Sequence, residues 1–171
     1  MAIKPLSLVL STMLLLSMQH AMAADSTINI TGTVIASPCT VVAVKDVDLG
    51  TTIDASKLAT AGTASNFISF NLDMTNCPAS TTKATATFTG PVSHVDYYAN
   101  ATGSAKHAIV ELVSNYSSTN MGNGKIFSTA IDAGTHAGTF GLKARIRNDG
   151  DGSAVTPGTV ITPVEVTIAW A

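Results

Sequence analysis

The last eight residues of the chain alternate strictly between apolar side chains and other residues. The apolar positions are Val164, Val166, Ile168 and Trp170, and the pattern runs to the chain end. A period of two is typical of a β-strand with one buried face. Free chain ends normally fray. An end this apolar is therefore expected to be buried, either in its own core or against another protein.

A second alternating stretch lies near the other end of the chain, from Ser26 to Val34. Its side chains of one parity include Ile28, Ile30 and Val34. From pattern alone this stretch is equally well an ordinary first strand of its own sheet. Two alternating ends nevertheless favour a subunit that assembles by exchanging strands.

Residues 1–23 read as a secretory signal peptide. Lys4 supplies the positive charge, an apolar run follows from Leu6 to Met18, and Ala21 to Ala23 fits a small-residue cleavage site. The run is shorter than the roughly 20 apolar residues of a membrane span. We therefore expect an exported mature chain that does not insert into a membrane. Removing 23 of the 171 residues leaves 148, the size of a single domain.

The charge of the chain argues against nucleic-acid binding. Without Lys4 there remain eight Lys and Arg against eleven Asp and Glu, and no basic run occurs. A nucleic-acid partner normally requires a basic patch.

Two cysteines occur, Cys39 and Cys77. Export to an oxidising compartment makes a disulfide between them the default interpretation. Closing a loop of this length stabilises a fold by about 4 kcal/mol in the chain-entropy model. Two free buried thiols are the alternative.

Most of the remaining chain predicts strands separated by turns, which indicates an all-β sandwich. The predicted strands are Val41–Leu49, Phe67–Met74, Ala84–Thr89, Ala108–Val113, Phe140–Ile146 and roughly Val160–Trp170. Clusters of Gly, Ser, Asn and Asp at Ala99–Ser104, Ser117–Gly124 and Asn148–Ser153 predict loops. A short helical turn over Lys57–Ala64 is the one helical candidate.

Catalytic and metal-binding motifs are missing from the sequence. His94, His107 and His136 are far apart and lack the spacing of local metal ligands. The acidic, Gly-rich stretch Asn148–Ser153 lacks the downstream Glu of a calcium loop, which favours a solvated hairpin turn. No nucleophile elbow, zinc-protease motif or phosphate loop occurs. We expect no catalytic residue, no cofactor and no metal.

The order and spacing of several features resemble the pilin subunits of chaperone–usher fimbriae of the type 1 kind. These features are the signal peptide, the start Ala24 to Ile28, Gly32, Cys39 within Ser37–Val41, Cys77 between Asn76 and Pro78, Gly158 fourteenth from the end, and the penultimate aromatic. That aromatic is Trp170, where the family more often has Tyr. The likeness covers essentially all of the mature chain.

The resemblance implies an immunoglobulin-like sandwich that lacks one strand. A periplasmic chaperone fills the gap first. The N-terminal extension of the next subunit then replaces the chaperone at an outer-membrane usher, by β-augmentation. The resemblance divides the chain into a signal peptide (1–23), a donor extension (24–36) and a pilin domain (37–171).

The resemblance also assigns site residues to this sequence. The donor residues are Ser26, Ile28, Ile30, Gly32 and Val34. The groove edge is formed by Gly158, Val164, Val166, Ile168 and Trp170. Such a subunit is exported through the periplasm to a cell-surface fimbria. The chain is short for a two-domain tip adhesin, which leaves a rod or an adaptor subunit.

Two other functions remain open at the level of sequence. The first is a secreted immunoglobulin-like module that folds as a monomer and binds a small ligand or a glycan. The second, less favoured by the missing motifs, is a small exported enzyme. A lone domain that is stable and monomeric would favour the binding module over a pilin.

Overall fold

A computed structural model of the chain describes residues 31–33, 38–42, 46–94 and 96–171. The chain divides into two units, Met1–Val34 and Ile35–Ala171. All of the strands described belong to the second unit. The predicted signal peptide and most of the predicted donor extension lie outside the described residues.

Nine strands and one 3₁₀ turn form the described part of the second unit. They are β1 (Thr40–Val41), the 3₁₀ turn (Ala55–Leu58), β2 (Ile68–Thr75), β3 (Lys83–Thr89), β4 (Val92–His94), β5 (Tyr97–Ala99), β6 (Ala108–Ser114), β7 (Ile126–Ala130), β8 (Gly138–Asn148) and β9 (Glu165–Trp170). One antiparallel sheet has the order β1-β2-β8-β6-β5-β4, and the other has the order β7-β3-β9. The all-β sandwich predicted from the sequence is confirmed. Within the described ranges, no helix is long and apolar enough to cross a membrane.

The core lies between the two sheets and is built from alternate residues of β2, β3, β6 and β8. Met74, Ala84, Ala86, Phe88 and Phe140 have 0% exposed surface. These residues lie at alternate positions of their strands, because successive side chains of a strand point to opposite faces. Period-two patterns in the sequence therefore located the core strands correctly.

Strand β6 is buried on both faces, which its sequence does not suggest. Val110 and Leu112 face the core, but Glu111 on the opposite face is only 7% exposed. Arg145 donates to the Glu111 carboxylate at 2.7 Å, and Arg147 approaches the same oxygen at 3.5 Å. The guanidinium of Arg145 also lies 4.1 Å from the ring centroid of Phe67. Charged side chains with long apolar stems thus cover the outer face of this strand.

The predicted disulfide between Cys39 and Cys77 is confirmed, with a Cα–Cα distance of 4.2 Å. It lies where β1 pairs antiparallel with the end of β2, and Thr40 is opposite Thr75. The bond therefore fastens the start of the second unit to the edge of the larger sheet.

The final strand is shorter than predicted, since β9 begins at Glu165 rather than near Val160. The preceding segment bonds to the loop between β5 and β6 instead. Ile161 N donates to the side chain of Asn100 at 2.8 Å, and Ile161 O accepts from Ala101 N at 2.9 Å. Pro163 has no N–H to add to a ladder. The chain thus crosses here from the larger sheet to the smaller one.

Three further predictions need correction in detail. Of the predicted strand Val41–Leu49, only the first residue lies in a strand, residues 43–45 are outside the described ranges, and 46–49 are irregular. The loop starting at Asn148 is not a hairpin turn, because β8 and β9 belong to different sheets. The helical turn covers Ala55–Leu58 rather than Lys57–Ala64.

Candidate functional site along the C-terminal strand

Within the described ranges, strand β9 is paired on one side only. Its neighbour is β3, and the register places Trp170 opposite Ala84, Ile168 opposite Ala86 and Val166 opposite Phe88. Along its other edge, the described residues provide no strand. The backbone groups of that edge are therefore available to a further strand, as at any sheet edge.

The inward side chains of β9 are only half buried. Val166, Ile168 and Trp170 pack against the core as partly exposed residues, whereas Ala84, Ala86 and Phe88, which lie opposite them on β3, are fully buried. All six side chains face the same core. The exposure of β9 thus comes from the missing neighbour on its open edge, and it leaves a strip of apolar core uncovered.

The end of the chain is fixed rather than frayed. Ala171 N donates to Lys83 O at 2.9 Å, while Ala171 O accepts from Lys83 N at 2.9 Å and from Thr82 N at 2.7 Å. These three backbone bonds to the start of β3 keep the open edge of β9 in a defined position.

Two of the predicted groove-edge residues lie before the strand. Val164 directly precedes β9 and is half buried against the core, while Gly158 lies further upstream. Gly158 lines an apolar pocket of about 60 Å³ together with Ile146, Val155 and Val160. A β-carbon at Gly158 would lie 2.5 Å from Ala105 N and 2.7 Å from Ser104 Oγ. Its backbone also has a φ of 159°, so glycine is required by the chain's own loop at this position.

The uncovered strip is uncharged. Glu165, the acidic residue of β9, lies on the opposite face from Val166 and is exposed. In the core cluster against which the strip packs, burial raises the pKa of Tyr98 to about 12, and its hydroxyl donates to Met121 O at 2.8 Å. An apolar surface with free backbone donors and acceptors at its border suits an apolar strand, and no nucleophile or acid–base pair faces it in the described residues.

Four of the five predicted donor residues lie outside the residues that the structure describes, namely Ser26, Ile28, Ile30 and Val34. Gly32 has irregular backbone and is exposed, and a β-carbon added to it would meet nothing within 4 Å. The fold places Val166, Ile168 and Trp170 along β9, with Val164 directly before it. Both the groove-edge assignment and the donor assignment stay predictions.

No protein-family model matches the chain. The protein FimG of Escherichia coli strain K12 is 33% identical over 164 residues, which is 95% of both chains. The S-fimbrial adhesin protein SfaS of Escherichia coli O6:K15:H31 is 34% identical over 88% of both chains.

Solved structures with the same fold include two from pili. The P pilus rod subunit PapA superposes with a TM-score of 0.66 at 17% identity, covering 79% of this chain and all of PapA. A subunit from the structure of a chaperone–usher pilus gives a TM-score of 0.62 at 17% identity, covering 87% of this chain and 97% of that one.

Proposed function

The chain belongs to the fimbrial subunits of chaperone–usher pili, and we propose that it polymerises by donating residues 24–36 to a neighbour while accepting a neighbour's extension along β9. The observation that carries this proposal is the half burial of Val166, Ile168 and Trp170 beside fully buried partners on β3. A strand added to the open edge of β9 would cover these side chains and complete the smaller sheet. The role is structural, and the assembled product is a cell-surface fimbria.

The donor segment has the chemistry that such a groove requires. Ile28, Ile30 and Val34 share one face with Ser26 and Gly32. Burying the three apolar side chains contributes about 5–9 kcal/mol before ordering costs. Gly32 permits close approach of the two backbones, because it carries no side chain.

The lengths of donor and acceptor support the same arrangement. Nine extended residues, 26–34, span about 27 Å, and the seven from Val164 to Trp170 span about 20 Å. A donor of this length extends past one end of β9. At the amino end, that extension would lie near the apolar pocket beside Gly158 and Val160.

An exposed apolar edge also needs protection before assembly. Unpaired strands of this kind template aggregation. We propose that a periplasmic chaperone covers β9 after residues 1–23 direct export, and that exchange for the next subunit's extension takes place at an outer-membrane usher. The same backbone hydrogen bonds serve both partners in turn.

The test replaces an apolar donor residue by a carboxylate. Ile28→Asp or Ile30→Asp should leave chaperone binding intact and abolish incorporation into fibres, since an unpaired carboxylate in an apolar groove costs several kcal/mol. Asn29→Asp is the matched control, because residue 29 has the opposite parity, and it should assemble normally. The measurements are co-purification with the chaperone and the amount of subunit in sheared fibres.

Two results would contradict the proposal. Failure of the Ile28 or Ile30 variant to form a chaperone complex would make residues 26–34 an ordinary core strand. Equal assembly of the Ile30 and Asn29 variants would show that the side chains of this segment do not enter a groove.

A further inference from the structure

Three possible metal ligands meet at one end of the larger sheet. His107 immediately precedes β6 and Asp149 immediately follows β8, and the last pair of this ladder is Ala108 with Asn148. Asp149 N donates to His107 O at 3.0 Å. The two side chains are therefore held on neighbouring strand ends, although 42 positions separate them in sequence.

A second carboxylate approaches the same imidazole nitrogen. His107 Nδ1 lies 3.3 Å from Asp149 Oδ2 and 2.8 Å from Asp151 Oδ2. The three ligand atoms all lie within 4.8 Å of one another. A tetrahedral metal ion with bonds of about 2.0–2.2 Å separates its ligand atoms by about 3.3–3.6 Å. The distance from His107 Nδ1 to Asp149 Oδ2 falls at this value, and the 2.8 Å distance to Asp151 Oδ2 is shorter, so Asp151 Oδ2 would move outward to admit an ion.

Each carboxylate is oriented through its other oxygen. Asp149 Oδ1 accepts from Asp151 N at 3.1 Å, and Asp151 Oδ1 accepts from Ser153 N at 2.8 Å. Both Oδ2 atoms are thereby directed at the imidazole. Outer contacts of this kind fix the ligands of protein metal sites.

The loop that carries both carboxylates rests on a buried amide. Asn148 is 1% exposed, and its Nδ2 donates to Leu58 O at 2.9 Å and to Ser153 O at 2.8 Å. These bonds tie the loop to the 3₁₀ turn. The ligand positions therefore do not depend on a freely moving loop.

The negative charge of the cluster is not balanced by a permanent cation. In the described part of the chain, the ionic contacts of Asp149 and Asp151 are with His107 alone. The single atom His107 Nδ1 carries at most one proton for two carboxylate oxygens, whereas a dication would engage all three groups.

We propose that His107 Nδ1, Asp149 Oδ2 and Asp151 Oδ2 form a binding site for a transition-metal dication of the zinc class. An imidazole with two carboxylates suits Zn²⁺ and its neighbours, while Ca²⁺ requires six to eight oxygen ligands. The side chain of Asp151 is 47% exposed, so further coordination positions face solvent. A bound ion links the ends of β6 and β8 to the 149–153 loop. The site is separate from the groove along β9.

The test uses the mature subunit in complex with its chaperone, purified without a polyhistidine tag and treated with a chelator, and the chaperone alone serves as the blank. Titration calorimetry with ZnCl₂ should give one ion per chain, and excess CaCl₂ or MgCl₂ should not displace it. X-ray absorption at the zinc edge should show one imidazole nitrogen among oxygen ligands. This spectrum is read on the unaltered chain and does not depend on the folding of any variant.

Variants assign the ligands. His107→Asn, Asp149→Asn and Asp151→Asn should each weaken Zn²⁺ binding at least about tenfold. Asparagine keeps the Oδ1 acceptors of the loop and tolerates the left-handed backbone of His107, at φ 60°. His136→Asn is the matched control, because His136 also has a left-handed backbone, at φ 52°, and it should bind zinc like the unaltered chain.

Several outcomes would overturn the proposal. Binding below one ion per chain, a spectrum without imidazole, or equal affinity in the His107 and His136 variants would each leave the cluster as an ion pair only. Displacement by Ca²⁺ would identify a carboxylate site that does not use the imidazole, which also contradicts the assignment.

Discussion

Strands β8 and β9 carry the same alternation of apolar and other residues, yet their inward side chains are buried to different extents. In β8, Phe140 and Leu142 are 0% and 2% exposed. In β9, Ile168 and Trp170 remain half exposed. The difference lies in their neighbours, because β8 is flanked by β2 and β6 while, among the strands that the structure describes, β9 has β3 alone.

This contrast shows that the apolar face of a strand and the burial of that face are separate properties, although one sequence pattern is used to predict both. Alternation determines which face is apolar. Burial also depends on how many strands lie alongside, and that number is decided by distant parts of the chain or by another chain. A strand with only one neighbouring strand therefore keeps part of its apolar face exposed, and a second protein can cover that part.

The largest expected effect comes from removing the open edge itself. Deleting Ile168–Ala171 should abolish recovery of the subunit from the periplasm. The deletion removes two inward side chains, worth about 3–6 kcal/mol when covered, and the bonds that Ala171 makes to Thr82 and Lys83. This loss is comparable with the whole stability of a small domain. The measurement is the amount of subunit that co-purifies with its chaperone.

Normal chaperone binding by the truncated chain would contradict the role of β9 as the strand that a partner recognises. It would mean that β9 is an ordinary core strand and that recognition takes place elsewhere. The edge strand β7 would then be the next candidate, since Ile126 is 68% exposed.

A pair of alanine substitutions should distinguish the two strands directly. Phe140→Ala should lower the free energy of unfolding by about 3–5 kcal/mol, whether or not the groove is filled. Ile168→Ala should instead reduce the stabilisation that a donor provides, because its side chain is fully covered only when a donor is bound. Urea unfolding of a subunit lacking residues 24–34, at increasing concentrations of a peptide of residues 24–36, separates the two effects.

The expected result is a difference in peptide dependence. Ligand that binds only the folded state raises stability with its concentration relative to its dissociation constant. The Phe140 variant should keep the peptide dependence of the unaltered body, and the Ile168 variant should require more peptide for the same midpoint. Equal shifts in both variants would show that β9 is no closer to the donor than β8.

Much of the fold was predictable because its central strands obey simple periodicity. The patterns at Phe67–Met74, Ala84–Thr89 and Phe140–Ile146 coincide with β2, β3 and β8 within a few residues. Strands β4, β5 and β7 were missed. Val92–His94 and Tyr97–Ala99 are three residues long, and Ile126–Ala130 is rich in small and polar residues, so none of them gives a recognisable pattern.

Residues brought together by register were not predictable from spacing. His107 and Asp149 become neighbours only because β6 pairs with β8 in one particular register. Likewise, the burial of Glu111 depends on Arg145 across the same ladder. The core-facing side chains of β9 were predictable, since they alternate along a single strand, whereas Gly158 and Val164 lie before that strand. The role of these residues at a groove edge stays a prediction.

The smallest expected effect concerns the penultimate residue. Trp170→Tyr should change stability by less than about 1.5 kcal/mol and leave chaperone binding intact. Trp170 lies opposite Ala84 and remains half exposed, so a smaller aromatic ring can occupy the same place beside that small residue. The measurements are chaperone co-purification and the urea midpoint of the assembled form. A loss of binding would show that the partner contacts the whole indole ring, and the end of β9 would then determine partner specificity as well as providing an apolar edge.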